Sequence, residues 1–158
     1  MKRWLHKLAA SPRGIKLMFR LWPPLWFTGI RFAEVSDDLR SLTTTMSMRV
    51  YNKNIMGVHF GGSLFAMTDP CYMMLLMTAL GKNYVVWDKA ASIEFVKPGK
   101  GLVKAHFALS QGDLDDILEK TAGGNKYFKV MPVTITDETG DTVALLQRTL
   151  YIRKKRQV

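Results

Sequence analysis

The chain has 158 residues, of which 47% are apolar, enough for one domain with its own core and too apolar for a disordered chain. A single cysteine, Cys71, excludes an internal disulfide and a cysteine-based zinc set and suits a reducing compartment. The net charge of +10 sits in two clusters, with Lys2, Arg3, Lys7, Arg13, Lys16 and Arg20 before any acidic residue and Arg153, Lys154, Lys155 and Arg156 near the end. Apart from these ten, 13 basic residues balance 13 acidic ones, so the body of the chain is neutral and nucleic acid is not its expected partner. The clusters suit an anionic membrane surface or a polyanionic ligand, or are simply solvated.

Residues 11–22 read as a short amphipathic helix, with Ile15, Leu17, Met18, Leu21 and Trp22 toward one side and Arg13, Lys16 and Arg20 away from it, stopped by Pro23-Pro24. Such an arm packs on its own domain, on a partner subunit or at a membrane interface. This divides the chain into a basic amphipathic arm, residues 1–25, and a domain, residues 26–158. No cleaved signal peptide is expected, because Lys7, Arg13, Lys16 and Arg20 interrupt the apolar residues. A cytoplasmic location follows, with the basic termini able to reach the inner membrane.

From Trp26 the period becomes two. Gly29–Ser36 and Leu42–Val50 read as a hairpin about Asp37-Asp38, followed by a loop, Asn52–Gly62. After Gly81, Val85–Val96 and Val103–Leu109 alternate as strands around the Pro98-Gly99 turn, and a short acidic helix spans about Asp113–Thr121. Phe128–Thr136 changes phase near Pro132, which predicts a β-bulge or an edge position, and Thr142–Ile152 closes a second hairpin.

Between the two groups of strands lies GGSLFAMTDPCYMMLLMTAL, Gly61–Leu80, apolar on every face with Asp69 as its only ionisable carboxylate. Asp69-Pro70 interrupts it as a membrane span, and a helix apolar all round must be buried on all sides. The predicted fold is α+β, one curved antiparallel sheet wrapped around one long central helix, preceded by the amphipathic helix. A sheet covers only part of such a helix, so self-association is expected. Asp69 is either the N-cap of a helix beginning at Pro70 or a desolvated functional acid on a continuous helix kinked by Pro70. Cys71, beside it, is expected in the core. His6, His59 and His106 lack metal-ligand spacing, so no metal site is predicted.

The element order, with Asn54, Gly57, Gly61-Gly62, Leu64-Phe65 and Asp69 in register and Phe95-Val96-Lys97-Pro98 beyond, resembles the hotdog superfamily, and within it the acyl-CoA thioesterases of the phenylacetate-pathway type. The likeness extends from about Gly29 to Ile152, and Phe60 stands where that group has a histidine. It implies a homodimer or homotetramer acting on a medium- or long-chain acyl-CoA, with coenzyme A present only as part of the substrate and no other cofactor. It further implies that Asp69 serves as general base or nucleophile, opposite Asn54 and the backbone N–H groups of Gly61 and Gly62 of a second subunit. Phe60 and Phe65 are candidates to contact the acyl chain, and Lys97 and Lys100 to contact the coenzyme's phosphates. The same fold without catalysis would be an acyl-CoA or fatty-acid binder.

Overall fold

The computed structural model describes residues 11–156; Lys2, Arg3, His6 and Lys7 lie outside them. Ser11 caps helix α1 (Pro12–Leu21) by accepting from the Gly14 N–H at 3.1 Å, and Pro23-Pro24 ends it by opening a separate four-residue helix, α2 (Pro23–Trp26). Six strands follow: β1 (Ile30–Val35), β2 (Ser41–Ser47), β3 (Tyr84–Phe95), β4 (Leu102–Ala108), β5 (Tyr127–Thr136) and β6 (Thr142–Lys154). They form one antiparallel sheet in the order β1-β2-β4-β5-β6-β3. Between β2 and β3 lies the central helix, as α3 (Gly61–Ala66) and α4 (Cys71–Leu80), and between β4 and β5 lies α5 (Gln111–Thr121).

The period-two pattern sets which residues face inward. Leu42, Thr44 and Met46 of β2, Val103, Ala105 and Phe107 of β4, and Met131, Val133 and Ile135 of β5 are buried, as are Leu64, Met67, Cys71, Tyr72, Leu75 and Leu76 of the central segment. Gly61–Leu80 is long and apolar enough by composition to cross a membrane; its packing in this core accounts for that composition. The single chain still leaves Met77 of α4 half exposed.

Three boundaries differ from the sequence reading. β2 ends at Ser47 instead of continuing to Val50, because the buried Asn52 accepts from the Arg49 N–H and donates to the Ser47 and Thr28 carbonyls, curling Val50–Asn52 into a 3-10 turn. α5 starts at Gln111 because Ser110 and Asp113 form a reciprocal capping box. β5 has no bulge at Pro132: its register with β6 is regular from Tyr127 to Ile135, with Phe128 and Val130 simply facing outward. Nor is β5 an edge strand, since it lies between β4 and β6, but β4 pairs with it only at Thr136 and Ile135, which leaves its side at Pro132 without a strand partner among the described residues. The Pro132 carbonyl instead accepts from the Tyr72 hydroxyl at 3.1 Å, so the side of β5 where proline lacks a donor faces away from β6.

Candidate functional site

The central helix is broken where the sequence places its only acid. Pro70 has no N–H, so the Ala66 carbonyl loses its helical donor and accepts from the Asp69 N–H at 3.2 Å, one residue short of α-helical spacing. Residues 67–70 are thus a tight turn between α3 and α4, and no side chain caps α4. Asp69 is neither the N-cap of a helix beginning at Pro70 nor part of an unbroken helix with a kink.

Side chains fasten this turn, Thr44 and Arg148 from the sheet and Thr68 from within. The Thr44 hydroxyl donates to the Met67 carbonyl at 3.1 Å, the Thr68 hydroxyl to Phe65 at 2.9 Å, and Arg148 Nη2 to the Asp69 carbonyl at 3.0 Å. Arg148 stands in the middle of the inward row of β6, between Leu146 and Leu150, and is only 2% exposed. Its Nη2 also donates to Asp69 Oδ1 at 2.7 Å and meets Asp88 Oδ1 of β3 at 2.9 Å, while Nε donates to Asp88 Oδ1 at 3.2 Å. The guanidinium carbon lies 5.4 Å from the centre of the Phe65 ring, and Nη1 is buried with no hydrogen-bond partner among the described residues.

Two carboxylates therefore share one buried cation. Burial pushes the Asp88 carboxyl above its ordinary range, and Arg148 opposes that shift. Asp69 is not desolvated as the sequence suggests: its side chain is 62% exposed in the single chain, with Oδ1 paired to Arg148. The segment is apolar all round, but the acid sits on a turn whose side chain points out of the core. Beside it, burial holds the Cys71 thiol well above its ordinary pKa, and Cys71 is wholly buried, so it is core and not an available thiolate.

The other predicted residues lie toward the start of α3. Phe60 precedes the helix, half exposed, and the N–H groups of Gly61 and Gly62 have no acceptor among the described residues. A Cβ on Gly61 would lie 2.8 Å from the Phe95 ring, and one on Gly62 would collide with the ring of Phe60. Asn54 shapes its own loop, its Oδ1 accepting from the N–H groups of Met56 at 2.9 Å and Val58 at 3.3 Å. Lys97 is held by Asp137 and Asp141, each at 2.7 Å, whereas Lys100 is exposed. His59 is buried, its Nε2 donating to the Gly101 carbonyl at 3.0 Å; burial lowers its pKa against that bond. Among the described residues no group of three His, Cys, Asp or Glu could hold a metal ion.

The structure thus joins Asp69 and Phe65 to Arg148 and Asp88, which the sequence reading missed. The signal for Arg148 lies in the strand itself: Ala144, Leu146, Leu150 and Ile152 share one phase, and Arg148 is the charge set in the middle of that apolar row. Asp88 carries no comparable signal: it is in phase with buried Val86, but the alternation is lost directly after it, where the register with β6 shifts between Asp88 and Ala90.

A six-stranded antiparallel sheet around a central helix, with the acid at the helix break and paired glycines at its start, defines the hotdog fold. The chain belongs to the family described as Domain of unknown function (DUF4442), whose model matches residues 14–152. No curated protein matches it. Among solved structures it resembles a Pseudomonas aeruginosa protein of unknown function described as a probable thioesterase, with a TM-score of 0.77 and 18% identity over 92% of this chain and 99% of that one. It also resembles a thioesterase from Haemophilus influenzae, with a TM-score of 0.68, 14% identity and 93% of each chain covered. The Escherichia coli PaaI protein from the phenylacetic acid degradation operon matches with a TM-score of 0.60 and 16% identity, over 96% of this chain and 95% of that one.

Proposed function

We propose that the chain is a thioester hydrolase acting on a medium- or long-chain acyl-CoA, with Asp69 as general base or nucleophile. The observation that carries this reading is an exposed carboxylate fixed by a buried guanidinium at the break of the central helix. Named thioesterases among the structural neighbours support the reaction class. Oδ1 of Asp69 is engaged by Arg148, so Oδ2 is the atom free to act. As base, it takes a proton from water; the hydroxide adds to the thioester carbon, the carbon–sulfur bond breaks, and the coenzyme thiolate recovers the proton from Asp69. Arg148 is a positioning residue in this scheme.

Donors for the developing oxyanion are the free N–H groups of Gly61 and Gly62, at positions where glycine lets the Phe95 and Phe60 rings close against the helix start. One chain cannot bring both parts together. α3 and the turn after it separate Gly61 from Asp69 by about 12 Å at a helix-like rise, whereas reacting groups must approach to about 3–3.5 Å. A second copy resolves this. β3 is an edge strand of 12 residues, paired among the described residues with β6 alone, that holds Asp88, bonded to Arg148, and Phe95, against Gly61. Two such edges pairing antiparallel run the central helices in opposite directions, so the glycine end of one helix lies toward Asp69 of the other. Phe60 and Phe65 then contribute to the acyl site, and Lys100, unlike Lys97, is free to meet coenzyme phosphates. Asn54 has its amide nitrogen left for substrate. The location that fits this substrate is the cytoplasm.

A non-catalytic acyl-CoA binder is the second reading, favoured by Phe60 in place of histidine. Thiol release from a panel of acyl-CoAs separates the two. The wild-type protein releases thiol from its preferred chain length and Asp69→Asn does not, while keeping its fold and assembly. Binding of acyl-CoA with no release, or release unchanged in Asp69→Asn, overturns the proposal.

A further inference from the structure

α1 packs on β1 through Ile15 and Phe19, the Phe19 ring stacking on Phe32 at 4.3 Å and on Trp22 at 5.5 Å. At 100° per residue, this leaves Arg13, Lys16, Leu17, Arg20 and Leu21 on the outward side of the helix. With Arg31 and Phe32 of β1, Arg13, Lys16, Leu17 and Arg20 line a groove of about 380 Å³ that, among the described residues, holds four cations and no acid. No acidic residue occurs in the sequence before Glu34. Beyond the groove the surface is apolar and aromatic: Leu21 is 67% exposed, Trp26 52% and Phe27 70%, with the Trp26 and Phe27 rings 5.1 Å apart.

We infer that α1 and α2 form a docking surface for a bilayer containing anionic lipids, with Arg13, Lys16, Arg20 and Arg31 meeting the headgroups and Leu21, Trp26 and Phe27 entering the interface. Charge complementarity selects this occupant. A second copy presenting the same face would set four cations against four, which opposes an isologous contact. A nucleic-acid backbone would satisfy the cations but not cover Leu21 and Phe27. Tryptophan beside arginine and lysine at the edge of an apolar surface is the composition of an interfacial helix. The inference does not rest on the thioesterase reading.

The test is co-sedimentation of the full chain with vesicles of phosphatidylcholine alone, or with phosphatidylglycerol in a three-to-one ratio. Binding is expected only to the anionic vesicles, falling steeply with salt and shifting tryptophan emission to the blue. Arg13→Glu with Lys16→Glu and Arg20→Glu should weaken it by at least about a hundredfold. Trp26→Ser with Phe27→Ser should weaken it about tenfold or more at unchanged charge. All five residues are exposed or half-buried, so folding should persist by circular dichroism. The inference is overturned by equal binding to both vesicle types, by absence of binding, or by binding that the aromatic pair does not alter, which marks a purely electrostatic polyanion site. A change of oligomeric state in the charge-reversed variant without vesicles also overturns it, by assigning the face to a second copy.

Discussion

Replacing Arg148 by Met removes both bonds to Asp69 and leaves Asp88 beside an apolar side chain. Breaking a fully buried ion pair from one side costs about 3–5 kcal/mol, an upper bound here because the carboxylates left behind, Asp69 above all, reach solvent. Arg148→Met should therefore lower the urea midpoint sharply, and adding Asp88→Asn should recover part of the loss; a midpoint within error of wild type would mean that the guanidinium holds nothing. Lys in its place should not restore the site, since one ammonium cannot reproduce the fork that meets Asp69 and Asp88 together. At this scale the sequence was half legible. Asp69 stood out as the one acid in an apolar run, but its partner lies 79 positions away and is brought beside it by strand order alone. Without knowing that β6 crosses beneath the helix break, nothing local distinguishes a fastened acid from a desolvated one.

The elements show where local chemistry suffices and where it does not. Pro23 ends α1 and alternation gives β4 its buried Val103, Ala105 and Phe107, both readable from neighbours in sequence, whereas the Ser110 cap that starts α5 two residues before Asp113 is not used in the sequence reading. The end of β2 was not readable, because Asn52 breaks the ladder from within what looks like a loop. The regularity of β5 was hidden too, because its inward phase begins with Tyr127 and Lys129 and its outward phase contains Phe128 and Val130. Lys129 faces inward because α5 supplies Asp113 at 3.1 Å and Asp116 at 2.8 Å. The bond from Lys129, joined by one from Tyr127, lowers the Asp116 carboxyl; for Asp113, burial is outweighed by bonds from Ser110 and Lys129. Both carboxylates are lower in the folded chain than in the unfolded one, so the stability they contribute is present above about pH 4 and is lost as pH falls through their folded values. Lys129→Met should lower the melting temperature at pH 7, because both carboxylates lose the partner that lowers them. Thermal melts should show that difference shrinking as pH drops below about 4; a difference that grows there would reverse the assignment.

For the whole molecule, the β3 edge and the apolar surface left on α4 point to the same consequence. An edge of 12 residues bearing an exposed Trp87 is an open template for another strand. Trp87→Lys should therefore shift the protein toward monomer in sedimentation velocity and reduce thiol release in step. An active monomer would place the whole site within one chain. The fold was legible as a whole because one curved sheet is the simplest cover for a central apolar helix, whereas the proposed pairing of Asp69 with the glycines of a second copy lies beyond one chain's contacts.

The most direct measurement mixes two inactive proteins, Asp69→Asn and Gly62→Val, after dissociation and reassociation. If Asp69 of one copy works with the helix start of another, mixed dimers regain one intact site, and about a quarter of wild-type thiol release returns at equal mixing. If the two parts act within a single chain, every mixed dimer has both sites broken. No activity from a mixture shown to contain hybrid assemblies would contradict the account.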